Sequence, residues 1–343
     1  MVRTKEEAQA WKEQLIKDTE TKLTTLTTSE QFKDYLKVVS SFHQYSLDNI
    51  NLIYAQDSNA TMVAGFKSWQ KLERQVEKGS KAIYIKAPML VKLTDEEKIK
   101  LKTTKDKAIK GYKFVPVFDV KSTSGKELVT AQHFVKDQFT TAETEAFTEK
   151  AIPKIIKKIE DSYKIPIVIK PLEDNDLGGF YSRTDHSITI NSNHSKTQQL
   201  GTIFHEFAHS QLHNLEVTKS EELPSPGHRE AQAESVAYLS MQAINIDTES
   251  KSLGYIATWA KDLDVMKQAL SEIKEVFNKT YDIIEKTISS EIKQEKSQTN
   301  NIENKEKIGT SFEQANDIQE SLDKYAEDHK IELKQDQKQE RRV

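Results

Sequence analysis

The sequence predicts an α+β fold: N-terminal helices with a small antiparallel sheet, then a second unit of short strands and helices, then a polar tail. Three observations carry this. Residues 1 to about 60 repeat apolar side chains at helical spacing. From Met62 the pattern changes to short apolar segments broken by Gly79, Pro88 and Gly111, as strands of a sheet require. After a polar join near 131–142, short strands resume and lead into a helix carrying His205-Glu206-Phe207-Ala208-His209.

In the first unit, Phe32, Leu36, Val39 and Phe42 mark one helix, and Leu47 to Tyr54 continues the period. Thr61–Phe66, Lys81–Ile85, Met89–Leu93 and Phe114–Val120 read as strands, with a helix at 67–75 between the first two. The Lys/Glu-rich stretch 95–110 reads as an inserted mobile hairpin or helix. In the second unit a helix around 143–160 precedes a strand at Ile165–Ile169. Gly178-Gly179-Phe180-Tyr181 turns into a second strand, and His186 to Asn191 alternates as a third. Ser195-Lys196-Thr197-Gln198 has capping-box form and starts the next helix. Ser225-Pro226 supplies an N-cap and a first-turn proline for another. Tyr255 and Trp259 mark an aromatic segment, and a long helix over 265–292 carries Leu270, Ile273, Phe277, Tyr281, Ile284 and Ile288 as one apolar stripe. Such a stripe covers a core or meets a partner helix, and core packing is the better reading. From about 293 the chain is polar and charged, which predicts disorder, with one amphipathic helix through Phe312, Ile318, Leu322 and Tyr325. The resulting division is 1–135, 141–292 and 293–343.

Composition narrows the chemistry. The chain of 343 residues has no cysteine, which excludes disulfides, thiolate metal ligands and thiol catalysis. The opening MVRTKEEAQAWKEQ is charged and lacks the apolar core of a signal peptide, and no apolar run approaches membrane-spanning length. A cytoplasmic location with no membrane partner is expected.

HExxH is the most specific signal. Histidines four apart on a helix lie one turn apart on one face, so both imidazoles can bind one metal ion. Glu206, beside the first histidine, can reach a water on that metal without displacing it. Two ligands, one general base and one open position form the arrangement of a zinc peptidase, although another divalent metal could serve. Leu200, Ile203, Phe204, Phe207, Ala208, Leu212 and Leu215 give the helix its buried face.

A third ligand is required. His213 is eight residues beyond His205, about 12 Å along a straight helix, and no glycine turns the chain back before it. It reads as a helix-end residue. His228 lies at a helix start. Glu230 and Glu234 are four apart on a helix otherwise lined by Ala233, Val236, Ala237 and Met241. Glu230 is the preferred ligand, with Glu234 holding a ligand histidine by hydrogen bonding or taking the ligand role itself.

Charge is uneven. Residues 65–126 carry 16 Lys and Arg against 7 Asp and Glu, a net of +9, which leaves about −13 for the rest of a chain of net −4. Lys67, Lys71, Arg74, Lys78 and Lys81 surround Trp69, with Phe66 and Tyr84 nearby. Basic residues beside aromatics suit single-stranded DNA, where cations follow phosphates and bases stack on rings. The structural alternative is that Trp69, three residues from Phe66 and from Leu72, belongs to the core.

Phe42 to Asn49, Ala64 to Leu72, Val76 to Ile83 and Val117 to Val120 together resemble the N-terminal domain of ArdC-type antirestriction proteins. His205 to His209, Arg229 to Tyr238 and Ser252 to Trp259 are similar to the zincin-like metallopeptidase domain of that family, including its LtrC-like members. The resemblance covers roughly residues 1–265. It implies an ssDNA-binding domain and a zinc peptidase-like domain in a protein of plasmids or other conjugative elements. It assigns His205, His209 and one glutamate of the Glu230/Glu234 pair to the metal, and Glu206 to the base role. The implied partners are ssDNA, a protein or peptide substrate, and a conjugation or restriction-system protein. The highly charged 95–110 insertion is a departure from the resemblance, and the tail beyond 293 has no counterpart in it.

Overall fold

The computed structural model describes residues 4–126, 141–215, 223–244, 246, 248, 259 and 261–298. The join at 127–140, Tyr255, the side chain of Ile288 and the tail helix through Phe312 lie outside the described residues. The fold is α+β and divides into two compact units, Met1–Leu23 with Tyr45–Glu127, and Thr24–Gln44 with Leu128–Val343.

The first unit holds helices α1 (Lys5–Thr24), α3 (Leu47–Gln56), α4 (Phe66–Lys71) and α5 (Asp95–Leu101), and strands β1 (Val63–Ala64), β2 (Arg74–Val76), β3 (Ile83–Lys92), β4 (Lys107–Asp119) and β5 (Thr123–Gly125). One sheet has the order β1-β4-β3, all antiparallel, and β2 pairs with β5. The expected breaks at Pro88 and Gly111 do not occur. The two strands read on either side of Pro88 are one continuous strand, β3. Pro88 is tolerated because β3 is an edge strand, so its missing N–H interrupts no inner ladder. The helix expected over 67–75 stops at Lys71; Glu73 is left-handed at φ 59 and redirects the chain into β2. The insertion is the outer half of the β3–β4 hairpin, with α5 at its tip and a Thr94–Glu97 capping box.

The free edge of β3 is closed by two amide side chains from one face of α3. Asn49 receives Lys86 N–H at 2.8 Å and donates to Lys86 O at 2.9 Å. Gln56 does the same at Tyr84, at 2.9 and 2.8 Å. Asn49 and Gln56 lie two helical turns apart on one face of α3, and Tyr84 and Lys86, two apart on β3, turn their peptide groups to the same edge, so each amide meets one outward-facing residue. Trp11 of α1 packs edge-on against Tyr84 and Phe114, with centroids 4.8 and 5.8 Å apart.

The second unit contains α2 (Ser29–Ser41), α6 (Thr141–Tyr163), β6 (Ile167–Lys170), β7 (Gly179–Ser182), β8 (Ser187–Asn191), α7 (Lys196–Leu212), α8 (Pro226–Ala243) and α9 (Leu263–Gln298). Strand order is β6-β8-β7, with β8 parallel to β6 and antiparallel to β7. Phe204, Phe207, Val236, Leu239, Phe277 and Ile283 are buried between sheet and helices. Asn191, fully buried, pins the β6–β7 loop by donating to Asp174 O and Leu177 O and accepting from Leu172 N.

Two features seat β7 on α7. A Cβ on Gly179 would lie 2.5 Å from Thr189 O and 2.9 Å from Thr202 Cγ2; one on Gly178 would lie 2.8 Å from Thr202 Oγ1. The Gly-Gly pair therefore permits a backbone approach that any side chain would block. The start of α7 is fixed by the Ser195–Gln198 capping box and by Glu145 of α6, which accepts Lys196 N–H at 2.9 Å and Thr197 N–H at 3.1 Å. A carboxylate there also suits the positive end of the helix.

Candidate metal centre

Helices α7 and α8 pack face to face. Ala208 on α7 and Ala231 and Ala233 on α8 are fully buried small residues. On the facing surfaces, His205, His209 and Glu230 offer ligand atoms that all lie within 4.8 Å of one another. Nε2 of His205 and Nε2 of His209 are 3.1 Å apart. Glu230 reaches both, with Oε2 3.3 Å from His205 Nε2 and Oε1 3.4 Å from His209 Nε2.

The close approach of these groups calls for a proton or a cation between them. Two neutral imidazoles cannot present lone pairs to each other at 3.1 Å without a proton or a metal to share. Burial opposes charge on His205, but contacts with Glu230 and Glu234 override it and push its pKa up to about 10. Hydrogen bonds to the same histidines hold the Glu230 carboxyl well below the usual carboxylate range. Two imidazole nitrogens and one carboxylate form a donor set that Zn2+ and neighbouring divalent cations accept. The residues present therefore fit a divalent metal.

Glu234 stands one helical turn beyond Glu230 and addresses the other side of His205, with Oε2 3.4 Å from Nδ1. Glu206 is buried at 7 % exposure. Burial pushes its carboxyl above the ordinary range, while His205, His209 and an N–H bond from Tyr181 of β7 pull it back. The edge strand β7 thus passes beside the Glu206 carboxyl, and Phe180 on it is 42 % exposed.

The other histidines take different places. His213 caps the end of α7 and is only 2 % exposed, a burial that its position at a helix end did not reveal. Its Nδ1 is 3.0 Å from His209 Nδ1 and its Nε2 is 3.0 Å from Gln232 Oε1. Burial lowers its pKa to about 4. His228 accepts the Trp259 indole N–H at 3.0 Å and is not part of the His205–His209–Glu230 cluster.

The residues singled out for DNA divide into two groups. Lys67, Lys71, Lys78 and Lys81 are exposed on the first unit. Trp69 is completely buried and donates its indole N–H to Phe118 O at 2.9 Å, so its ring offers no stacking face. Arg74 is drawn inward: Nε and Nη2 donate to Thr123 at 2.8 and 2.7 Å, and Nη1 to Lys126 O. Both are structural because β5 and the end of β4 close over them. The exposed aromatic beside the lysines is Phe66, at 46 %. No helix among the described residues is long and apolar enough to cross a membrane.

Residues 5–120 match the N-terminal domain of anti-restriction factor ArdC, and residues 160–289 match the IrrE N-terminal-like domain of the M78 peptidase family. An uncharacterized protein of Bacillus anthracis is 27 % identical over 310 residues, covering 81 % of this chain and 51 % of its own. The chain therefore spans about half the length of that relative. Among solved structures, the antirestriction ArdC protein of plasmid R388 is similar in its metal-free form (18 % identity, 70 % of this chain and 84 % of that chain, TM-score 0.43). Its Mn(II)-bound form is similar at 15 % identity, over 70 % and 83 % of the two chains, with TM-score 0.44. The chain thus carries a match to an ArdC-type N-terminal domain followed by a match to a domain of the M78 peptidase family.

Proposed function

We propose that the second domain, residues 141–292, is a zinc-dependent peptidase and that the first, residues 1–135, holds it on single-stranded DNA. The observation that carries the peptidase reading is the convergence of His205, His209 and Glu230 beside the buried carboxyl of Glu206. His205 and His209 would bind the metal through Nε2 and Glu230 through a carboxylate oxygen, while Glu234 holds His205 at Nδ1. A divalent cation held there would polarise a peptide carbonyl and make water a stronger acid. Glu206 takes the proton from the attacking water onto a carboxylate oxygen and passes it to the leaving amine. The edge strand β7 would receive an extended peptide as a further strand, with Phe180 against its side chains.

On the first domain, exposed Lys67, Lys71, Lys78 and Lys81 with Phe66 supply the charge and the aromatic face that single strands require. The combined reading is an antirestriction role during establishment of a conjugative or other mobile element, in the cytoplasm, with a protein substrate from a restriction or conjugation system.

The test compares wild type with Glu206→Gln for Zn2+ content, ssDNA protection and cleavage of host proteins. Fragments that appear only with wild type, at equal Zn2+ content, support the peptidase. Equal DNA protection with no cleavage by either protein overturns it in favour of a non-proteolytic ssDNA-binding protein whose metal is structural.

A further inference from the structure

We infer that His213, Gln232 and Glu272 form a one-directional hydrogen-bond chain that sets the tautomer of His209 and presents its Nε2 lone pair to the metal. The inference rests on the metal-site reading above and extends it to three residues from three helices, α7, α8 and α9.

The direction follows from the far end. Glu272 of α9 is a carboxylate and only accepts. Gln232 donates to its Oε2 through Nε2 at 2.6 Å, and Gln268 donates to its Oε1 at 2.6 Å. The amide nitrogen of Gln232 is thereby fixed toward Glu272, and its oxygen must face His213. That oxygen lies 3.0 Å from His213 Nε2, so Nε2 carries the hydrogen. His213 is 2 % exposed with one neutral partner on this side, and a neutral ring protonated at Nε2 is bare at Nδ1. Bare Nδ1 accepts from the atom 3.0 Å away, Nδ1 of His209. His209 then carries its hydrogen on Nδ1 and turns an unprotonated Nε2 toward His205 and Glu230.

Each ligand histidine is thus held from its far nitrogen, but by different means. His205 meets the carboxylate of Glu234 directly. His209 reaches the carboxylate of Glu272 only through an imidazole and an amide, two groups that can transmit hydrogen-bond direction without carrying charge. Gln232 is 1 % exposed and cannot exchange these bonds for water, so the chain is a positioning device for His209.

The experiment uses the full chain, with Zn2+ alone as probe against a chromophoric chelator and with 15N histidine spectra of the metal-free protein. Gln232→Leu and Glu272→Gln should each weaken Zn2+ binding about 10–100-fold, measured at a temperature where the metal-free variant is folded. The exchange Gln232→Glu with Glu272→Gln reverses the order of amide and carboxylate while keeping an acceptor on His213, and should restore affinity. The metal-free wild type should show His209 protonated at Nδ1. Affinity within twofold of wild type in Gln232→Leu, failure of the exchange to rescue, or His209 protonated at Nε2 would overturn the inference. Absence of Zn2+ uptake by wild type refutes the metal site instead, and the His209 tautomer then decides the chain on its own.

Discussion

Trp69→Leu separates a core tryptophan from a DNA-stacking one. The indole is fully buried and its N–H bonds Phe118 O at 2.9 Å. Leucine keeps apolar bulk but leaves a void and removes one of the donors to Phe118 O, which stays in the β1–β4 ladder. A large-to-small change of this kind costs about 2–4 kcal/mol. Against a typical domain stability of about 5–15 kcal/mol, the first unit should become marginal. Urea unfolding followed by far-UV circular dichroism reads the loss. Fluorescence anisotropy with a labelled oligonucleotide, at a temperature where the variant is folded, reads ssDNA affinity. The expected result is a much lower unfolding midpoint with affinity within twofold of wild type. The reverse pattern, a wild-type midpoint with weakened DNA binding, would place the ring at the surface and refute the reasoning.

Two further outcomes follow from the second unit. Gly201 lies inside α7 with nothing within 4 Å of a Cβ, so Gly201→Ala should raise stability by about 1 kcal/mol, read as a higher melting temperature. Burial lowers the pKa of His43, stacked 3.6 Å from Tyr281, to about 4 against 6.5 when unfolded. The unfolded chain then binds the extra proton between those values, so stability should fall by about 3 kcal/mol as pH drops through that window, a slope that His43→Gln should remove.

What was legible in the sequence was local. The starts of α7 and α8 could be read because Ser195, Gln198, Ser225 and Pro226 act within one helical turn. The small sheet could be read from its alternation. The unbroken β3 could not, because whether Pro88 interrupts a strand depends on which edge it occupies. Trp69 and Arg74 look like a basic aromatic patch in sequence, yet Phe118 and Thr123, about fifty residues away, turn both inward. Only placement against β4 and β5 distinguishes a stacking ring from a core ring. His213 posed the same difficulty. Its spacing argued against a direct metal role, but nothing local indicated Gln232 or Glu272 as its neighbours.

The position of Glu272 also explains why the long C-terminal helix matters to the chemistry. Its apolar stripe, including Leu270, Ile273 and Phe277, is buried in the core, and Thr280 meets Ser240 of α8 at 2.7 Å inside it. Docking that stripe brings Glu272 to Gln232. Helices α7 and α8 alone already supply His205, His209 and Glu230, so the ligand triad does not need α9 to exist. Without α9, however, Gln232 loses its acceptor, its amide orientation is no longer dictated, and His209 has no reason to prefer the Nδ1 hydrogen. Apolar packing of the third helix therefore does more than seal the core. It supplies the acceptor that orients one of the two histidines, while Glu234 orients the other from within α8.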